Sequence, residues 1–167
     1  YIGGGMSFGA FGGRADVMAL FDPRHPNALA HAGTFNNNVL TMSAGIAGLS
    51  QLYTAEAALA LNTLGDGMRE RLNAVCRAHR VALQFTGLGS LMNLQATADP
   101  ITHIGDTTGT DPRIKDLFFF HMLEAGIYVA RRGFTVLSLP ITASHIDQYV
   151  GAFESFVQRH RALLSPA

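Results

Sequence analysis

With 167 residues, nearly half of them hydrophobic (48%), the chain can bury one core, or one small domain plus a piece of another. Twelve basic residues balance twelve acidic ones, so no global field draws it to nucleic acid or to an anionic membrane, and any anion has to be bound locally. The single cysteine, Cys76, excludes an internal disulfide framework, no run approaches the roughly 18 apolar residues of a membrane span, and the opening residues lack the parts of a signal peptide; cytoplasm is the default expectation.

The chain opens on Tyr1-Ile2-Gly3-Gly4-Gly5, with no initiator Met and no element ahead of a glycine-rich turn, as a segment of a longer chain would. Residues 1–13 hold six of the 18 glycines, a spacing that suits turns and close backbone approach, because glycine tolerates positive φ. Residues 14–22 predict a short strand or a helical turn, and Pro23 and Pro26 punctuate the loop after it. From Asn38 onward, VLTMSAGIAGLSQLY carries small residues at nearly every turn, the composition of a helix packed closely on its neighbours. Thr54 is placed to cap a second helix running to about His79, with Met68, Leu72, Val75 and Cys76 on one face and Arg69, Glu70, Arg77 and Arg80 mostly on the other.

The period then changes. Residues 81–86 and 90–97 read as two short strands around Gly87-Leu88-Gly89, and 98–110 as a polar surface loop. Asp111 caps and Pro112 opens a helix to about Glu124, closed by Gly126, whose Leu117, Phe118, Phe120 and Leu123 require one buried side. Lys115, the one lysine of the chain, reads as a solvated residue of that helix. Residues 127–130 and 134–139 predict a second strand pair joined at Arg131-Arg132-Gly133. Ser144, followed three residues later by Asp147, resembles a capping box that opens a terminal helix to about Leu164. From about residue 66 the order is that of an α+β unit, with helices covering one face of a small antiparallel sheet.

Two motifs point beyond fold class: YIGGGMSFGAFGGRADVM at 1–18 and HAGTFNNNVLTMSAG at 31–45. Together they resemble class III aminotransferases, most of all glutamate-1-semialdehyde aminomutases, where a lysine directly precedes a segment of the form xIGGGxPxGAxGGRxxxM. GLGSLMNLQ, EAGIYVA and the closing helix follow the family's small-domain order, so the resemblance covers essentially the whole chain. It implies a fold-type I enzyme dependent on pyridoxal 5'-phosphate. Residues 1–65 would be the C-terminal portion of its large cofactor-binding domain and 66–167 its small C-terminal α+β domain. It also implies a homodimer and a small amino-acid or amine substrate.

Carried over from the second motif, Gly33 and Thr34 would bind the cofactor phosphate of the neighbouring subunit through a backbone N–H and a hydroxyl, directed donors that add no net charge. Taken alone, Thr34 reads as an ordinary turn or capping residue. Gly3, Gly4 and Gly5 resemble the family's post-lysine turn, with Met6 or Ser7 as side chains that could face the cofactor pocket. The asparagine run at 36–38 reads as holding its turn through side-chain-to-backbone bonds.

The Schiff-base lysine would immediately precede Tyr1, so the segment alone is expected to be catalytically silent. The tail departs from both subfamilies. Aminomutases carry an acidic residue shortly after a phenylalanine in the last strand pair, where this chain has Phe134-Thr135. Many class III transaminases place an arginine shortly before a Pro-Pro pair to bind a substrate carboxylate, where this chain has VLSLP at 136–140. Arg131 and Arg132 are the candidates to replace that arginine, because a guanidinium fork matches a carboxylate in two-point geometry; they also sit at a turn, where solvated arginines are common. The seven histidines show no i, i+4 pair and no cysteine companion, which argues against a zinc site, and GAFGG at 9–13 has the wrong spacing for a dinucleotide fingerprint. The functional expectation is movement of an amino group, between two substrates or within one. A non-catalytic dimerising or partner-binding α+β module is the alternative.

Overall fold

The computed structural model describes residues 3–33 and 38–165. The chain divides into two compact units, Tyr1–Ala57 and Ala58–Ala167. Both this boundary and the one expected at 65/66 fall within one long helix, α3 (Ala55–His79).

In the first unit, α1 (Ala15–Met18) runs straight into a 3-10 turn at Ala19–Phe21, so residues 14–22 resolve to helix rather than strand. Phe11 gathers the loops on either side: its ring lies 5.2 Å from that of Phe21 and 5.0 Å from that of His31. The next helix, α2 (Val39–Ala47), starts where Asn38 Oδ1 accepts the Thr41 N–H at 3.0 Å, which satisfies one of the orphan donors of the first turn. Asn36 and Asn37 lie outside the described residues. The small-residue run of α2 has the expected purpose, since the Phe8 ring stands 2.1 Å from where a Cβ on buried Gly45 would be. The helix then loosens into a π-helical turn at Gly48–Leu52, with the Tyr53 N–H reaching Gly48 O at 2.7 Å.

In the second unit, α3 buries Leu61, Gly65, Met68, Leu72 and Cys76, a stripe at three- and four-residue spacing. The antiparallel sheet β1 (Gln84–Leu88), β2 (Leu91–Gln95), β3 (Phe134–Val136) has the order β1-β2-β3, with Phe85 opposite Leu94 and Met92 opposite Thr135. From α3, Asn62 Oδ1 accepts the Ser90 N–H at 3.1 Å and Asp66 Oδ1 accepts the Gly89 N–H at 3.0 Å, so the β1–β2 turn is held from the helix. The helices α4 (Pro112–Glu124) and α5 (Ala143–Leu164) complete the core through Phe118, Phe153 and Phe156. With Phe85 these rings meet mostly edge to face; Phe85 and Phe153 are 5.0 Å apart, Phe118 and Phe156 5.6 Å. Each such ring contributes roughly 1.5–3 kcal/mol through burial alone.

Four expectations change. First, the hairpin turn is Gly89-Ser90, and Gly87 belongs to β1, which starts at Gln84 rather than at residue 81. Second, residues 127–130 make no strand pair with 134–136. Gly126 (φ 78°) ends α4, the Ile127 N–H turns back to Met122 O at 2.8 Å, and Gly133 N–H closes a tight turn onto Ala130 O at 2.8 Å. The strand that does form, β3, takes β2 as its partner. Third, α5 starts two residues earlier than the Ser144 reading: Thr142 is its N-cap, with His145 Nδ1 accepting the Thr142 N–H at 3.1 Å, while Asp147 is engaged by Arg71 at 2.8 Å. Fourth, Lys115 is half-buried and donates to Gln95 Oε1 at 3.2 Å, and that burial lowers its pKa.

Candidate functional site

The opening glycines form a reverse turn. The Met6 N–H donates to Gly3 O at 3.1 Å, and the two central residues, Gly4 (φ 59°) and Gly5 (φ 96°), both lie in the left-handed region that only glycine occupies without strain. Gly3 itself is buried, and a Cβ there would stand 2.8 Å from the Cβ of Phe8. Met6 and Ser7 are both exposed. In the second motif, Gly33 is exposed and lies five residues ahead of the α2 cap Asn38; Thr34 falls outside the described residues.

The two arginines at the 130–133 turn have different surroundings. Arg131 grips Asp116 of α4 with two bonds, Nε to Oδ1 at 2.6 Å and Nη2 to Oδ2 at 2.8 Å, and its guanidinium lies 5.8 Å from the Phe120 ring centre. The hydrogen bonds from Arg131 hold the Asp116 carboxyl below the usual carboxylate range. Arg132 is exposed and makes no ion pair within the described residues; its guanidinium lies over the Phe134 ring at 5.4 Å. Of the two, only Arg131 has an acidic partner among the described residues.

Beside that turn, residues 126–130, β3, the start of α5 and Met68 of α3 border an open cavity of about 460 Å³. Its wall holds a buried hydroxyl pair, Thr135 Oγ1 and Tyr149 Oη, 2.8 Å apart. Burial pushes the Tyr149 phenol up to about 12. Neither the Thr135–Tyr149 pair nor the Asp116–Arg131 pair was signalled by local sequence spacing, since each joins residues at least 14 positions apart.

Residues 1–157 match the class-III aminotransferase family. The chain belongs to that family. This class-III aminotransferase sequence is 58% identical over 167 residues to the beta-phenylalanine transaminase of Variovorax paradoxus, covering 100% of this chain and 38% of that protein. It is 34% identical over 158 residues to a glutamate-1-semialdehyde 2,1-aminomutase of Desulforamulus reducens, covering 93% of this chain and 36% of that protein. The aminomutase likeness is thus genuine but more distant than the likeness to the transaminase. In three dimensions, the solved beta-phenylalanine aminotransferase from Variovorax paradoxus matches with a TM-score of 0.90 over 100% of this chain and 39% of its own. A transaminase solved with PLP bound matches with a TM-score of 0.69 at 28% identity, over 90% of this chain and 34% of its own. The chain therefore spans less than two fifths of the length of these relatives.

Class-III aminotransferases use pyridoxal 5'-phosphate. The described residues suit such a group at both motifs: nothing stands within 4 Å of where side chains on Gly4 or Gly5 would be, and Gly33 presents exposed backbone ahead of a helix start.

Proposed function

We propose that this chain is the C-terminal part of a pyridoxal-phosphate transaminase that passes an amino group from an amino acid or amine to a keto acid. The observation that carries the reading is the 58% identity across the whole chain to a transaminase, against 34% to an aminomutase. The name of that relative favours an aromatic β-amino acid as the donor.

In this reading residues 1–65 complete the large cofactor domain and 66–167 form the small domain that closes over the substrate. The bound cofactor supplies the electron sink that makes the substrate's C–H bond acidic. The lysine that bonds it would directly precede the glycine turn, as the resemblance of residues 1–18 to the family's motif implies. The glycine turn at 3–6 leads the backbone away from that lysine without placing a side chain in the way. Gly33 and Thr34 hold the phosphate of the partner subunit's cofactor through a backbone N–H and a hydroxyl, and so fix the ring's position across a homodimer interface. Arg132, and Arg131 once released from Asp116, bind the substrate carboxylate and orient the amino carbon.

Turnover by the full-length protein distinguishes transfer from isomerisation. Sustained turnover is expected only when a keto acid is added with the amino donor; steady conversion of one substrate alone would overturn the transaminase reading in favour of the aminomutase. Thr34→Ala is expected to weaken cofactor binding by about tenfold or more, the cost of one hydrogen bond to a charged group. An unchanged cofactor affinity would remove Thr34 from the phosphate site.

A further inference from the structure

We infer that an open pocket at the C-terminal end of α3 binds a small phosphate monoester with a short aliphatic body, held by Arg77 and Arg80. The pocket lies wholly within the second unit, shares no residue with the glycine motifs or the 130–133 turn, and does not depend on which reaction the protein performs.

The backbone is the first argument. α3 ends in a Schellman turn, in which the Val81 N–H donates to Cys76 O and the Arg80 N–H to Arg77 O, both at 3.2 Å. Arg80 takes the left-handed position of that turn (φ 53°), the one non-glycine residue to do so among the described residues. Glycine adopts this conformation freely, whereas a residue with a Cβ is strained there. A strained position that carries a guanidinium into a pocket is a candidate for binding. The pocket itself is the second argument. At about 390 Å³ it falls in the range of roughly 300–1,000 Å³ typical of small-ligand sites. Buried Cys76, Val81 and Leu83 give it an apolar floor, and exposed Arg77 and Arg80 complete its lining. Its two amides are engaged elsewhere: Asn73 bonds both main-chain groups of Phe85, and Gln84 Nε2 donates to Thr97 O at 3.0 Å and Asp99 O at 2.7 Å. The two guanidiniums are the charged donors that remain.

Charge is the third argument. Glu70 pairs with Arg77, and no carboxylate of the described residues neutralises Arg80, so the pair keeps a net positive charge. Guanidinium forks match phosphate oxygens in two-point geometry. A phosphate monoester offers three terminal oxygens, enough to engage both forks, whereas one fork uses up the two oxygens of a carboxylate. The apolar floor calls for an aliphatic body on that phosphate, because inorganic phosphate would leave it uncovered.

The test is calorimetric titration of the full-length protein with n-butyl phosphate, beside inorganic phosphate and butyrate. The protein is loaded with pyridoxal 5'-phosphate, so that the cofactor's own phosphate position is already filled. Butyl phosphate is expected to bind most tightly of the three. Arg80→Gly keeps the turn, because φ 53° suits glycine, and is expected to retain the parent's melting midpoint while weakening butyl phosphate roughly tenfold. Arg113→Gln removes an arginine paired with Asp111 outside the pocket and is expected to leave the affinity unchanged. The proposal is overturned if butyl phosphate fails to bind at millimolar concentration, if inorganic phosphate or butyrate binds as tightly, or if Arg80→Gly leaves the affinity intact. It is equally overturned if Arg113→Gln weakens binding as much as Arg80→Gly, which would mean general charge attraction, or if a crystal structure of the full-length protein shows polypeptide filling the pocket.

Discussion

Asn73 on α3 serves as a neighbouring strand for Phe85 at the edge of the sheet: its side-chain carbonyl accepts the Phe85 N–H at 2.7 Å and its amide donates to Phe85 O at 3.0 Å. A sheet edge otherwise leaves such backbone groups to water, and here one amide side chain satisfies both from a helix. Asn73→Ala removes both partners at a half-buried position and is expected to cost about 2 kcal/mol, read as a lower urea midpoint. Asn73→Asp keeps the acceptor but sets a carboxylate against a carbonyl oxygen, and is expected to cost no less. An Asn73→Ala midpoint within error of the parent would show that water replaces the amide freely.

Two glycines on the same helix should respond to alanine with opposite signs. A Cβ on Gly65 would stand 2.2 Å from Gly89 O and 2.6 Å from Gly89 C, main-chain atoms of the β1–β2 turn that cannot swing aside. A Cβ on exposed Gly67 would meet nothing within 4 Å. Gly65→Ala is therefore expected to destabilise by about 1–3 kcal/mol despite its better helix propensity. Gly67→Ala is expected to stabilise by about 0.5–1 kcal/mol. Thermal melts of the two variants check this, and equal shifts would mean that α3 is free to move off the hairpin.

These residues also show why part of the molecule could be read from its sequence and part could not. Helix limits set by neighbouring residues were legible: Thr54 for α3, Asp111-Pro112 and Gly126 for α4, the small residues of α2. Features decided by a distant partner were not. Residues 127–130 have the apolar pattern of a strand, but a strand exists only where a neighbour accepts its hydrogen bonds, and β2 spends that edge on β3. Asp147 has the spacing of a cap residue, yet Arg71, 76 positions away in the chain, takes it instead. In the candidate site the glycine turn was fully local, whereas the difference between Arg131 and Arg132 depends on Asp116 arriving from α4. The half-burial of Lys115 likewise depends on Gln95 across the fold.

Cys76 should be inert while the protein is folded. It is buried on the core face of α3, and burial pushes its thiol up to about 12, so little thiolate forms near neutral pH. Reaction with a thiol-specific disulfide reagent at mildly alkaline pH is expected to be negligible in buffer and stoichiometric in denaturant. Rapid labelling without denaturant would show that the 68–76 face of α3 opens readily.

The C-terminal end of α5 should weaken in acid. His160 lies at a kink in α5 (φ −112°, ψ 16°), with its ring 5.7 Å from that of buried His121 and 5.3 Å from that of Phe156. Burial first, then the neighbouring His121 and Arg159 charges, lower its pKa below the usual 6.5, against a smaller opposing pull from Glu124, which Arg159 approaches at 3.3 Å. A histidine whose pKa is lower folded than unfolded binds its proton first in the unfolded chain. Stability is therefore highest above the unfolded value and is lost as pH falls from about 6.5 towards the folded value. The urea midpoint is expected to drop between about pH 7.5 and about pH 5.5, with a smaller drop in His160→Gln. Proteolysis near residues 159–165 should accelerate over the same range, because Leu164 O is what accepts the Ala82 N–H at 2.6 Å and ties the helix end to the core. A His160→Gln variant with an unaltered pH slope would assign the acid sensitivity to another group.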